Sequence, residues 1–201
     1  MDRWPSWRRD VGVVAGCVLL GLLGMRGHRV PFLSGVDLGF HELGHLVCYI
    51  LDAFLPWPQI VTAAAGSGFQ VGVPLGLAVY FLVVRHDRIG GALCLAWAAT
   101  DALDVARYIA DAPYQELQLI GGQHDWAYIL GPDQLDRLGD AGRLASLVSG
   151  LGWVLFVGAF VVALAPILRW AFGDATSVPD DRDHPDDPRG EAGESSLRFP
   201  I

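Results

Sequence analysis

His41, Glu42 and His45 stand in the order His-Glu-x-x-His inside a long apolar run. On a helix the two histidines lie one turn apart on one face and can pinch a metal ion between them. Glu42 sits beside them, where a carboxylate could take a proton from a metal-bound water. The chemistry of such a set is hydrolysis. Zn²⁺ lowers the pKa of a bound water, Glu42 accepts the proton, and the same carboxyl passes it to a leaving amine. Three ionisable side chains at membrane depth are costly, which favours function over accident. The structural alternative is a pair of hydrogen-bonded histidines.

Two histidines do not complete a catalytic zinc site, which usually has three protein ligands and one open position. Asp101, Asp104, Tyr108 and Asp111 follow helical spacing and form a polar stripe. With the second and fourth apolar segments aligned at their midpoints, Asp101 falls about 3 Å and Asp104 about 7–8 Å from the midplane, at 1.5 Å rise per residue. His45 lies to the same side, so either aspartate is a candidate third ligand. Asp104 also reads as the ion-pair partner of Arg107, three residues on. His124 is a further candidate, provided its loop dips back into the membrane, which is tolerated where backbone is protein-buried or lines a wet cavity. Asp125, next to it, could orient an imidazole, although adjacent residues on regular structure point apart. His86, in the polar hairpin Arg85-His86-Asp87-Arg88, and His184, near the C-terminus, read as solvated. Cys17, Cys48 and Cys94 form no Cys-x-x-Cys pair and read as small core residues.

The elements that must position these residues are membrane helices. Hydrophobic residues make up 52 % of the 201, with 25 Gly and 7 Trp, and the mean hydropathy is positive. That composition suits packed membrane helices with interfacial anchors. Apolar segments are expected at about 11–25, 33–55, 69–84, 89–110 and 147–170. Pro56-Trp57-Pro58 ends the second, and Thr62 to Gly68 reads as a small-residue connection. Gly68, Gly72 and Gly76 share a face and suggest close helix packing. Residues 112–146 are more polar and rich in turn formers. Residues 173–201 are acidic and proline-rich and are expected to be disordered. They hold eight acids and three Arg, a net of −5 out of −8 for the chain. The low isoelectric point therefore describes the tail. No basic patch with interleaved aromatics occurs, which argues against nucleic acid. Arginines near the helix ends split evenly between the two faces, so the positive-inside rule gives no orientation. The fold class is all-α, a polytopic transmembrane bundle of about five spans in a lipid bilayer.

His41-Glu42-Leu43-Gly44-His45 within a membrane helix resembles the intramembrane zinc metalloproteases of the site-2 protease type. The resemblance implies that His41 and His45 bind zinc, that Glu42 is the catalytic base, and that an Asp on a later membrane helix is the third ligand. The nearest match for that Asp is Leu103-Asp104-Val105, without the glycine that usually follows. Residues 40 to about 131 are similar to a family of small bacterial membrane proteins of uncharacterised activity. That likeness is carried by Gly66-Ser67-Gly68-Phe69-Gln70 with Pro74, by Leu103 to Ala112, and by His124-Asp125-Trp126. It implies Asp104 and His124 over Asp101 as functional positions.

The expectation is a bacterial inner-membrane zinc metallopeptidase acting on a peptide or membrane protein, with His41, His45 and Asp104 or His124 at the metal and Glu42 as general base. The alternative is a non-enzymatic protein whose His/Asp site is structural and whose function is interaction with another membrane protein. Substrate and oligomeric state stay open.

Overall fold

Backbone without water around it must satisfy its hydrogen bonds internally, and a helix does so within one segment. The computed structural model describes residues 6–25, 31–119 and 123–173, and among them the regular elements are all helical. The helices are α1 (Ser6–Met25), α2 (Pro31–Asp52), α3 (Gln59–Val79), α4 (Arg88–Asp111), α5 (Asp125–Leu130) and α6 (Ala141–Gly173). A π-helical turn, Tyr80–Val84, continues α3, and a 3-10 turn, Leu138–Asp140, leads into α6. The acidic tail expected over 173–201 lies, from 174 on, outside the described residues.

Among the described residues, three helical stretches are long and apolar enough to cross a membrane: Gln59–Val84, Arg88–Asp111 and Leu138–Ala165. This is compatible with a membrane protein. α2 is not among them, because Asp37, His41, Glu42, His45 and Asp52 offset its apolar residues.

The segment Thr62 to Gly68 is a correction to the sequence reading. It is not a connection but part of α3. Its three consecutive alanines have the highest helix propensity of any residue, and a break there would leave peptide groups unpaired in apolar surroundings. Pro58, extended at φ −60° and ψ 138°, starts the helix immediately after the Pro-Trp-Pro turn. Asp52 Oδ1 closes that turn by accepting the Trp57 N–H at 3.0 Å. On the far side, Asp87 Oδ1 accepts the Ile89 N–H at 3.0 Å and caps α4. His86 sits exposed in that turn at φ 51°.

α4 is the central helix, packed against α6, α3 and α1. Small side chains make this possible. Ala92 and Ala96 of α4 meet Cys17 of α1 and Ala159 and Ala163 of α6 in one apolar cluster. A second cluster gathers Val105 and Ile109 of α4, Ile129 and Leu130 of α5, and Ala141 and Ala145 of α6. That cluster ties the polar segment after α4 onto the bundle. Cys17, Cys48 and Cys94 are free thiols, the first two buried. The Gly68-Gly72-Gly76 stripe faces away from the bundle, with nothing within 4 Å of where a Cβ would stand.

Candidate metal centre

α2 turns its polar face to one side. Asp37, His41, Glu42, His45 and Asp52 recur at helical spacing and line a single cavity of about 550 Å³, walled also by α3, α4 and the segment before and within α5. The motif's own glycine sets how close α3 comes. A Cβ on Gly44 would lie 2.3 Å from the carbonyl oxygen of Ala65, so the two backbones touch. This approach brings His45 Nδ1 to 2.8 Å from the carbonyl oxygen of Thr62. Two turns further along α3, Gln70 Oε1 lies 3.3 Å from His41 Nδ1.

These two contacts decide which ring nitrogens remain free. A carbonyl oxygen only accepts, so His45 Nδ1 donates and Nε2 carries the lone pair. Gln70 Oε1 does the same for His41. Outer hydrogen bonds of this kind fix the tautomer of histidines that bind metals. Both free nitrogens point at Asp125 Oδ2, which lies 3.0 Å from His41 Nε2 and 3.2 Å from His45 Nε2. Three acceptors thus converge, and positive charge between them, a proton or a cation, is needed to hold them together.

The donor set fits a metal ion. Among the described residues, His41, His45 and Asp125 are the group of His, Cys, Asp or Glu with one ligand atom each, all within 4.8 Å of one another. A tetrahedral ion with bonds of about 2.1 Å separates its ligand atoms by about 3.4 Å, close to the distances between Asp125 and the two imidazoles. α3 leaves room for it at Gly66. A Cβ there would stand 2.4 Å from His45 Nε2 and 2.6 Å from His41 Nε2. Only a residue without a side chain keeps the convergence point open.

Asp125 is the first residue of α5, held from several sides. The Tyr108 hydroxyl accepts the Asp125 N–H at 2.9 Å and donates to Asp125 Oδ2 at 3.3 Å. His124 caps α5, its Nδ1 accepting the Ala127 N–H at 3.2 Å. Its ring stacks on Tyr108 at a centroid distance of 4.3 Å, and its Nε2 faces Asp111 Oδ2 at 3.3 Å. Asp111 in turn accepts the N–H groups of Glu116 and Leu117. Trp126 Nε1 donates to Ser67 Oγ at 3.0 Å and pins α5 to α3. Burial works against ionising Asp125, but with protons on the two imidazole Nε2 atoms their hydrogen bonds and positive charge outweigh that and hold its carboxyl below the usual carboxylate range. Burial pushes the His124 imidazole down, with Asp111 partly offsetting it. A neutral His124 agrees with its accepting role in the cap.

The structure therefore brings His41 and His45 together with Asp125, and not with the three residues weighed as third ligand. Asp104 lies in the cavity wall and pairs with Arg107 at 3.2 Å. Asp101 is 1 % exposed and turned into the protein beside Asp37. His124 is 4 % exposed and acts on the backbone of α5. Glu42 is exposed and lines the same cavity as the histidines. Asp125 is the residue that sequence reasoning missed as the partner of the histidine pair. Its signal was present: adjacent residues point apart, so only one of His124 and Asp125 can face the pair.

Comparison of the chain with known protein families, with curated proteins and with solved structures gives no match.

Proposed function

We propose that the chain is a membrane-embedded zinc metallopeptidase, crossing a bacterial inner membrane about five times, with His41, His45 and Asp125 as metal ligands and Glu42 as general base. One observation carries the reading. Two imidazoles with outward-fixed tautomers and a carboxylate present three acceptors to one point, and Gly66 keeps that point clear. The likeness of the His-Glu-x-x-His helix to intramembrane zinc metalloproteases agrees with it.

Zn²⁺ bound there would supply a Lewis acid that activates water and polarises a substrate carbonyl. The remaining work belongs to the chain. Glu42, in the same cavity as the ligands, takes the proton from the attacking water and delivers it to the departing amine. Tyr108 keeps the Asp125 carboxylate aimed at the histidines through its two hydrogen bonds. The cavity is polar along α2 and gives water a path to Glu42 within an otherwise apolar bundle. Three protein donors among the described residues leave a coordination position for substrate, whereas a structural site closes with four.

The test is metal content and peptide hydrolysis of purified protein. Wild type is expected to hold one zinc per chain. Glu42→Gln is expected to keep the metal and lose turnover by about 100-fold or more, and Asp125→Ala to lose the metal. Folded wild type without stoichiometric metal, or full turnover in Glu42→Gln, would overturn the reading. Metal without any peptide hydrolysis would instead point to a structural or partner-binding role for the site.

A further inference from the structure

The metal centre is built from two halves that rest on different helices. The imidazoles stand on α2 and are held by α3, through the Thr62 carbonyl oxygen at 2.8 Å and Gln70 Oε1 at 3.3 Å. The carboxylate stands on α5 and is held by α4, through the Tyr108 hydroxyl at 2.9 and 3.3 Å. These bonds orient each half. The spacing between the halves is decided where α5 meets α3.

That seam is loosely filled. Its apolar side chains Ile60, Phe69, Trp126 and Ile129 border an open groove. Apolar contact has no direction and lets a short helix slide, whereas a hydrogen bond weakens steeply when its partners move out of line. Among the described residues two side-chain hydrogen bonds cross the seam. The Tyr128 hydroxyl reaches Gln59 Oε1 at 3.4 Å, long and exposed to water. Trp126 Nε1 donates to Ser67 Oγ at 3.0 Å, and Ser67 is 4 % exposed. The second is shorter, and its acceptor is shielded from water, where such a bond is electrostatically stronger. It is also the better placed. Ser67 follows Gly66, which clears the convergence point, and Trp126 follows Asp125. The bond ties α3 to α5 one residue from the metal position on either side.

We propose that Ser67 and Trp126 are positioning residues for the metal site: their hydrogen bond sets the register of α5 on α3 and so places the Asp125 carboxylate against His41 and His45. The inference rests on the reading of those three residues as zinc ligands. It gives two side chains that touch neither ion nor substrate a direct influence on metal affinity.

Zinc affinity, measured by competition with a chromophoric chelator on the full-length protein in detergent, tests it without reference to activity. Trp126→Phe keeps an aromatic ring in the seam, removes the N–H, and is expected to weaken zinc binding about 10-fold, the lower end of what loss of an outer hydrogen-bond partner costs. Ser67→Ala is expected to lose as much, and the double variant no more than either. Alanine suits a helix, so Ser67→Ala carries the test where Trp126→Phe fails to fold. Ser67→Thr keeps the hydroxyl and is expected to bind as wild type does. Ile60→Ala thins the same seam without touching the bond; it should lower the melting temperature and leave zinc affinity near wild type. Unchanged affinity in folded Ser67→Ala, additive losses in the double variant, or an equal loss in Ile60→Ala would overturn the positioning role while leaving the zinc site standing. Wild type that binds no zinc would overturn both.

Discussion

Gly66→Ala is expected to abolish metal binding and leave the fold intact. The added methyl would stand 2.4 Å from His45 Nε2 and 2.6 Å from His41 Nε2, where an ion coordinated by both must sit. Those atoms are the ends of side chains that can rotate away, so the backbone need not move. Alanine is also favoured over glycine inside a helix by about 1 kcal/mol, which offsets the cost of the displaced rings. Zinc affinity should fall by at least about 100-fold, the upper end of what loss of a single outer hydrogen-bond partner costs, because here two of three ligands are themselves pushed from their positions. Chelator competition together with a thermal melt measures both halves. Retained affinity would mean that no ion lies between these two nitrogens.

The same substitution one helix away should have the opposite character. Gly44→Ala puts its methyl 2.3 Å from the carbonyl oxygen of Ala65 and 2.8 Å from its carbonyl carbon. Both belong to the backbone of α3 and cannot rotate aside. α2 must separate from α3 along the contact that also sets His45 against Thr62. Overpacking of this kind costs about 1–3 kcal/mol, and a rigid backbone neighbour puts Gly44→Ala at the upper end despite the gain in helix propensity. Reversible unfolding of wild type and variant in the same detergent measures it. An unshifted melt would show that the helices are not in contact at this point. Gly44→Val should be more severe.

These two glycines illustrate what was legible. The His pair, its helix and the neighbouring carboxylate follow from five residues and a 3.6-residue period. The run of Val, Leu and Ile in α6 and the alanine face of α4 announce packed helices as directly. α3 was half legible, because a string of Ala, Gly and Ser is as compatible with a loop as with a helix that others press against. Its role, to supply Thr62, Gly66 and Gln70 to the site, depends on contact with α2 and has no local signature. The third member of the cluster, Asp125, was the hardest. Asp101 and Asp104 lie at suitable depths on α4, but depth says nothing of azimuth. One faces Asp37 and the other Arg107. Asp125 reaches the histidines because Tyr108, Asp111 and Trp126 fold the intervening segment back. The stripe along α4 is therefore, through Tyr108 and Asp111, the seat of the segment that carries His124 and Asp125.

His41 and Asp125 are 84 residues apart in the chain yet share one contact. An ion between them would act as a removable cross-link, since it closes a long loop that the unfolded chain would otherwise explore. Folding and metal occupancy then become linked equilibria. At free zinc 100 times the dissociation constant, the linkage adds about 2.7 kcal/mol to stability, and a chelator should lower the melting temperature of wild type but not of Gly66→Ala. α1, α4 and α6 share a cluster remote from the ion and should keep their amide protection when the metal is withdrawn. The described residues 112–119 and 123–130 should lose it first, so metal supply would govern the lifetime of the cavity rather than that of the bundle.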